Sequence, residues 1–170
     1  MIHSKKAQPI GQIMMYLVAI IILSLIIGYG YTAITHFRER GDEVIYIKFK
    51  SELGNLVKKT AHDYDSTLKE ILDVPAKYAY LCFIDISKEG NAAIKDEGPF
   101  LLVYDSWETG ASQNVFLVEE SGTLNSFELD YFRISGGAEL VDYLCFDVDR
   151  SRVNIGFYGQ GDAALIRKWI

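Results

Sequence analysis

Four groups of residues have the types and spacing to do chemistry. His62-Asp63-Tyr64-Asp65 sets an imidazole beside two carboxylates, the donor types of a metal site. Asp147 and Asp149 place two carboxylates on one face of a strand. Asp105, Trp107 and Glu108 have the makings of a pocket wall, and Cys82 and Cys145 could form a disulfide or a pair of thiols. The first group lacks a CxxC or HxxxH partner, and adjacent ligands in one loop rarely close a metal site without a further group. The second lacks the other oxygen ligands and the glycine of a calcium loop. Trp107 is expected in the core, and His62 to Asp65 at a solvated helix exit. His3, His36 and His62 are too scattered for a triad, and neither GxSxG nor GxxxxGK[ST] occurs. The sequence therefore predicts no catalytic residue, no metal site and no cofactor, and the chain is not expected to be an enzyme.

The cysteines sit in a repeated tetrapeptide, YLCF, at Tyr80–Phe83 and Tyr143–Phe146. The flanking residues do not align further, so no duplicated domain is inferred. Outside the cell two cysteines tend to pair, and closing this loop would stabilise by on the order of 4 kcal/mol. The alternative is two buried thiols packed as small hydrophobes. The large apolar neighbours, and strands that need not share a register, tilt the expectation toward thiols.

The elements that carry these residues divide the chain in two. Of 170 residues, 49% are apolar and 24% charged, with a net charge of −6. Lys5, Lys6, Arg38 and Arg40 against Glu39 leave the first 40 residues at +3, so residues 41–170 carry −9. A domain that acidic is not expected to hold nucleic acid, whose affinity comes largely from cations that neutralise phosphates. From Ile10 to Ile34 there is no formal charge, and the densest part is IMMYLVAIIILSLII, Ile13 to Ile27. A helix needs about 20 such residues to cross a hydrocarbon core. The run exceeds the apolar region of a cleaved secretory signal and is not followed by a small-x-small cleavage site. A single-pass membrane helix is the expectation, with Tyr29 and Tyr31 near the interface. The basic residues flanking the two ends nearly balance, so charge alone does not orient it.

Lys5-Lys6-Ala7-Gln8, directly before the apolar helix, resembles the class III signal peptide of archaeal type IV pilin-like proteins. The resemblance covers about the first 30 residues. It implies a prepilin peptidase cut between Ala7 and Gln8, a leader that stays in the cytoplasm, and a C-terminal domain outside the cell membrane. It also implies a helix that anchors the precursor in lipid and then packs against copies of itself in a filament core. Pilins of this kind often carry Glu at the fifth mature position, and here that residue is Gln12. Residues 45–86 are similar to small membrane-anchored archaeal proteins of no assigned activity. The alternative to a filament subunit is an unprocessed, membrane-tethered binding module of the cell envelope.

The fold class expected is α+β: a long N-terminal helix, then a mostly antiparallel β-sheet domain. The divisions are a basic leader over 1–7, a transmembrane helix over 8–35, an amphipathic helical extension over 36–62 and an extracytoplasmic β-rich domain over 63–170. Val44, Ile47, Leu53, Leu56 and Val57 recur near helical spacing, with Phe49 on the flank, and predict a helix from Asp42 to Thr60 that either joins the membrane helix past Gly41 or stands apart. Strands are predicted at TLKEILDV, at Lys77–Ser87, in NVFLVEE, across LNSFELDYFRIS, at Glu139–Val148, at Arg152–Tyr158 and near the C-terminal end. A short helix is predicted in FLLVYDSWETG, with Pro99 in its first turn and Gly110 past its end.

Overall fold

Nothing in residues 8–62 is strong enough to stop a helix once it has started. Pro9 falls in the first turn, where a backbone N–H has no helical partner to lose. Gly41 and Gly54 each weaken a helix by only about 1 kcal/mol relative to Ala. In the computed structural model, which describes residues 8–137 and 139–169, these residues form one helix, α1, spanning Gln8–His62. The helix predicted from Asp42 is thus the continuation of the membrane run. The leader, Met1 to Ala7, lies outside the described residues. The chain divides at Gly41 into two compact units.

In the second unit α1 presents Phe49, Leu53, Val57 and Ala61, each fully buried, at intervals of four. Phe49 therefore anchors the stripe, where the sequence pattern put it on the flank. Val44 and Ile47 are exposed. At 3.6 residues per turn they lie roughly 140–160° around the helix from Phe49. The helix is followed by β1 (Thr67–Asp73), β2 (Tyr80–Ile84), a 3-10 turn (Ala92–Asp96), α2 (Leu101–Glu108), β3 (Val115–Val118), β4 (Leu124–Phe127), β5 (Phe132–Ser135), β6 (Tyr143–Asp147), β7 (Arg152–Gly159) and β8 (Ala164–Lys168).

The strands make two four-stranded sheets, ordered β1-β7-β8-β5 and β4-β3-β2-β6. Every pairing is antiparallel except β5 with β8. The architecture is α+β, as the sequence predicts. LNSFELDYFRIS is two strands in different sheets, where one was expected. The break falls at Tyr131, whose φ of 61° is left-handed and cannot continue a strand. Pro99 lies before α2, whose N-cap is Phe100, and Gly110 follows its end at φ 74°. Arg150 and Ser151 both have positive φ, which gives the β6–β7 hairpin its tight turn.

One face of the second sheet and the inner face of the first enclose the main core with α1. Leu81 and Phe83 of β2 and Val115 and Leu117 of β3 point into it. The intervening Cys82, Ile84, Phe116 and Val118 point the other way, under Val103, Tyr104 and Trp107 of α2 and Ile94 of the 3-10 turn. Both faces of β2 and β3 are therefore covered, which explains their unbroken apolar runs.

The two YLCF segments are neighbours, with Cys82 directly opposite Cys145. Asp85 N–H donates to Asp142 O and Val148 N–H to Ala79 O. Alternation from these two bonds makes Cys82–Cys145 a non-hydrogen-bonded pair, the closer of the two kinds. The Cα atoms are 4.1 Å apart and the sulfurs are bonded, so the structure holds a disulfide where the sequence pattern tilted toward free thiols. Shared register is the reason: identical tetrapeptides pair with their cysteines aligned. The loop spans 63 residues. Reduction is expected to lower unfolding stability by about 4 kcal/mol in urea titrations of the detergent-solubilised chain. Denaturation without reductant should expose no thiol to alkylation, and two after reduction.

The end of α1 is locked to β7. Asp65 N–H donates to Gly159 O at 3.0 Å, and Gly159 N–H donates to Ser66 O at 2.9 Å. A Cβ on Gly159 would collide with the carbonyl oxygens of Thr60 and Asp63. Gly159→Ala is expected to destabilise by about 2–3 kcal/mol or to prevent folding. On Gly54 a Cβ would meet only Leu129 Cδ1, at 4.0 Å, an ordinary contact. Gly54→Ala should therefore stabilise by about 0.5–1 kcal/mol, and the two variants should move the urea midpoint in opposite directions.

Candidate functional site

The feature that most needs a partner is the apolar part of α1. From Ile13 to Ile27 every large hydrophobic side chain is at least half exposed, from 50% at Leu17 to 73% at Met15. A core helix of a soluble domain would bury such residues, and here none of the apolar window is covered by protein. The helix is long and apolar enough to cross a membrane. Its hydroxyls are satisfied within the helix. Ser24 Oγ donates to Ile20 O at 2.8 Å, Thr32 Oγ1 to Gly28 O at 3.1 Å and Thr35 Oγ1 to Thr32 O at 2.8 Å. Bonds of this kind let hydroxyl residues sit in hydrocarbon without orphaned donors. The proposed cut follows Ala7, outside the described residues; Gln8 is the first residue of α1.

The polar groups singled out by spacing do not converge. His62 closes α1, with its ring 6.2 Å from that of Tyr131. Asp63 serves the turn through its backbone, its carbonyl accepting from Ser66 Oγ at 2.7 Å. Asp65 is left-handed at φ 59°. Asp147 ends β6, and Asp149 pairs with Arg152 across the hairpin turn. No group of three metal-ligating side chains occurs among the described residues. Trp107 is core, and its Nε1–H donates to Lys88 O at 3.0 Å. Glu108 accepts from Tyr104 OH at 3.1 Å, which, with burial and the carboxylate charges of Glu108 and Asp105, holds that phenol above its ordinary range. Asp105 is an exposed position on the same helix. The carboxylates singled out by spacing are thus spread over separate turns, a strand end and α2.

The most perturbed phenol is Tyr143, beside the disulfide on β6. Burial raises its pKa first, then its 2.7 Å hydrogen bond to Glu97 Oε1 and the charges of Glu97, Asp142 and Asp96, to about 12. Sequence reasoning missed this pair, because 46 residues separate its members and only the docking of the 3-10 turn on β6 joins them.

Compared with known protein families, curated proteins and solved structures, the chain matches none.

A phenol that holds its proton more tightly when folded stabilises the fold fully below its ordinary pKa of 10.0, and this contribution is lost as pH rises toward about 12. In a phenolate absorbance titration, one tyrosine should ionise last, near pH 12, and Tyr143→Phe should remove that step. A Tyr143→Phe titration identical in shape to that of the parent would contradict the assignment.

Proposed function

We propose that this chain is a single-pass membrane-anchored structural or interaction protein, a pilin-like subunit with its C-terminal domain outside the cell membrane. One observation carries the reading: an apolar helix left bare by its own chain, beginning at Gln8 directly after a basic leader ending Lys5-Lys6-Ala7. Before processing, the bare helix sits in lipid, its aliphatic side chains replacing water with acyl chains. After a cut by prepilin peptidase between Ala7 and Gln8, the same surface packs against copies of itself, which cover the same side chains in a filament core. The Cys82–Cys145 disulfide supports the outside placement, because such bonds persist in oxidising compartments. The acidic domain supports a role that does not involve nucleic acid.

A second reading is favoured by one residue. Gln12 stands at the fifth position after the proposed cut, where a pilin-like subunit often carries Glu. An unprocessed chain would be a membrane-tethered binding module of the envelope that does not polymerise.

N-terminal mass spectrometry of the membrane-extracted protein separates the two. A terminus at Gln8 is expected; Met1 retained in cells with active prepilin peptidase would remove the filament reading and leave the tethered module. Deleting residues 8–35 is expected to move the domain from the membrane pellet to the soluble fraction. Protease added to intact cells should digest the C-terminal domain, and its protection would overturn the outside placement.

A further inference from the structure

The outer face of the first sheet carries an arrangement unrelated to the anchor. In register across the strands, Gly156 of β7 lies between Lys69 of β1 and Arg167 of β8, and Arg167 lies opposite Ser135 of β5. Alternation puts this row on the face away from Ile155 and Phe157, which fill the core. Gly156 lets its neighbours close over it: a Cβ there would lie 3.4 Å from the Tyr158 ring and 3.6 Å from Arg167 Cγ, so the ring and the Arg167 stem cover this position. Beside the Tyr158 ring and Arg167 is a groove of about 350 Å³, walled by Lys69, Ser135, Leu144, Tyr158, Arg167 and Lys168.

Two of its three cations lie against aromatic rings, as Lys50, Lys77 and Lys95 do elsewhere on the domain. Arg167 Cζ stacks 3.4 Å from the centroid of the Tyr158 ring, and Lys69 Nζ lies 5.3 Å from that of Trp169. Elsewhere on the domain, Arg133 pairs with Asp162, Lys48 with Asp73 and Lys77 with Glu119. Among the described residues, Lys69, Arg167 and Lys168 have no carboxylate within ion-pairing distance. An aromatic face orients a cation without neutralising it, and a guanidinium stacked on a ring keeps its N–H edge free for an oxyanion. The apolar Leu144 and the Tyr158 ring lower the local dielectric and strengthen that attraction. A cavity of this size is at the lower end for small-molecule sites and suits one ring.

We propose that this groove is a binding site for an acidic monosaccharide or a sugar residue of that kind, its oxyanion held by Arg167 and Lys69 and its ring lying in the groove against Leu144 and Tyr158. Lys168 adds charge at the rim. The site does not depend on the anchor reading, since it is built wholly within residues 42–170.

The test is calorimetric titration of the detergent-solubilised full chain at low salt with glucuronate, glucose and inorganic phosphate as probes. Saturable glucuronate binding is expected, weakening as salt rises, with glucose silent and phosphate competing for the same site. Arg167→Ala and Lys69→Ala should each weaken glucuronate binding by about tenfold or more, the loss of one charge-assisted contact. Arg152→Ala, on the same sheet face but outside the groove, should leave it unchanged, and circular dichroism should match the parent for all three variants. If one groove variant fails to fold, the other carries the comparison. Phosphate binding more tightly than glucuronate would overturn the sugar and leave a bare anion site. Equal binding of glucose, indifference to both groove variants, or no saturable binding at millimolar glucuronate would overturn the site.

Discussion

Apolar side chains must be taken out of water, and residues 13–27 of this protein are not taken out of water by the protein itself. That single constraint organises the rest. Leaving a large aliphatic side chain exposed forgoes about 1.5–3 kcal/mol of burial, and α1 carries a continuous series of them with no charge among them. The helix is long and apolar enough to cross a membrane, where lipid would supply the missing cover. Hydrocarbon suits such a helix, since its backbone bonds are internal and Ser24, Thr32 and Thr35 bond back to carbonyls of the preceding turn.

The second unit solves the opposite problem: it hides its apolar residues twice over. Period-2 alternation in β2 and β3 sends one set into the core shared with Phe49, Leu53, Val57 and Ala61, and the other under α2. The strand at the centre of this double burial, β2, is also where the disulfide attaches. Cross-linking β2 to β6 ties residue 82 to residue 145, so that α2, β3, β4 and β5 all lie within one closed loop. A small domain gains most from a cross-link of this span, because the unfolded chain loses the most freedom.

Much of this was legible in the residues, unevenly. The membrane run is a matter of composition and length, which need no tertiary information. The strands at β1, β2, β3, β6, β7 and β8 follow from branched and aromatic runs bounded by turn residues. What misled was of two kinds. Register is not written locally, so the sequence leaves the two YLCF copies open between thiols and a disulfide and tilts toward thiols, although their pairing aligns the sulfurs. Helix phase depends on which neighbour a residue meets, so the spacing puts Val44 and Ile47 in the stripe and Phe49 on its flank, although Phe127 packs edge-on against Phe49 at 6.3 Å. The split of β4 from β5 was hidden because Tyr131 reads as a strand former and adopts a left-handed backbone. Contacts such as Tyr143 with Glu97, and the row of Lys69, Gly156 and Arg167, join residues far apart in sequence and are visible only in three dimensions.

The central claim is that the middle of the apolar segment is surrounded by hydrocarbon when the protein is in its membrane. Quenching by brominated lipid tests it directly, with Trp107→Phe and Trp169→Phe removing the native indoles and Ile21→Trp providing one probe. In reconstituted bilayers the indole emission should be blue-shifted and quenched most strongly by bromines near the ends of the acyl chains. Unquenched emission, from a chain that also remains monomeric in plain buffer, would contradict the account.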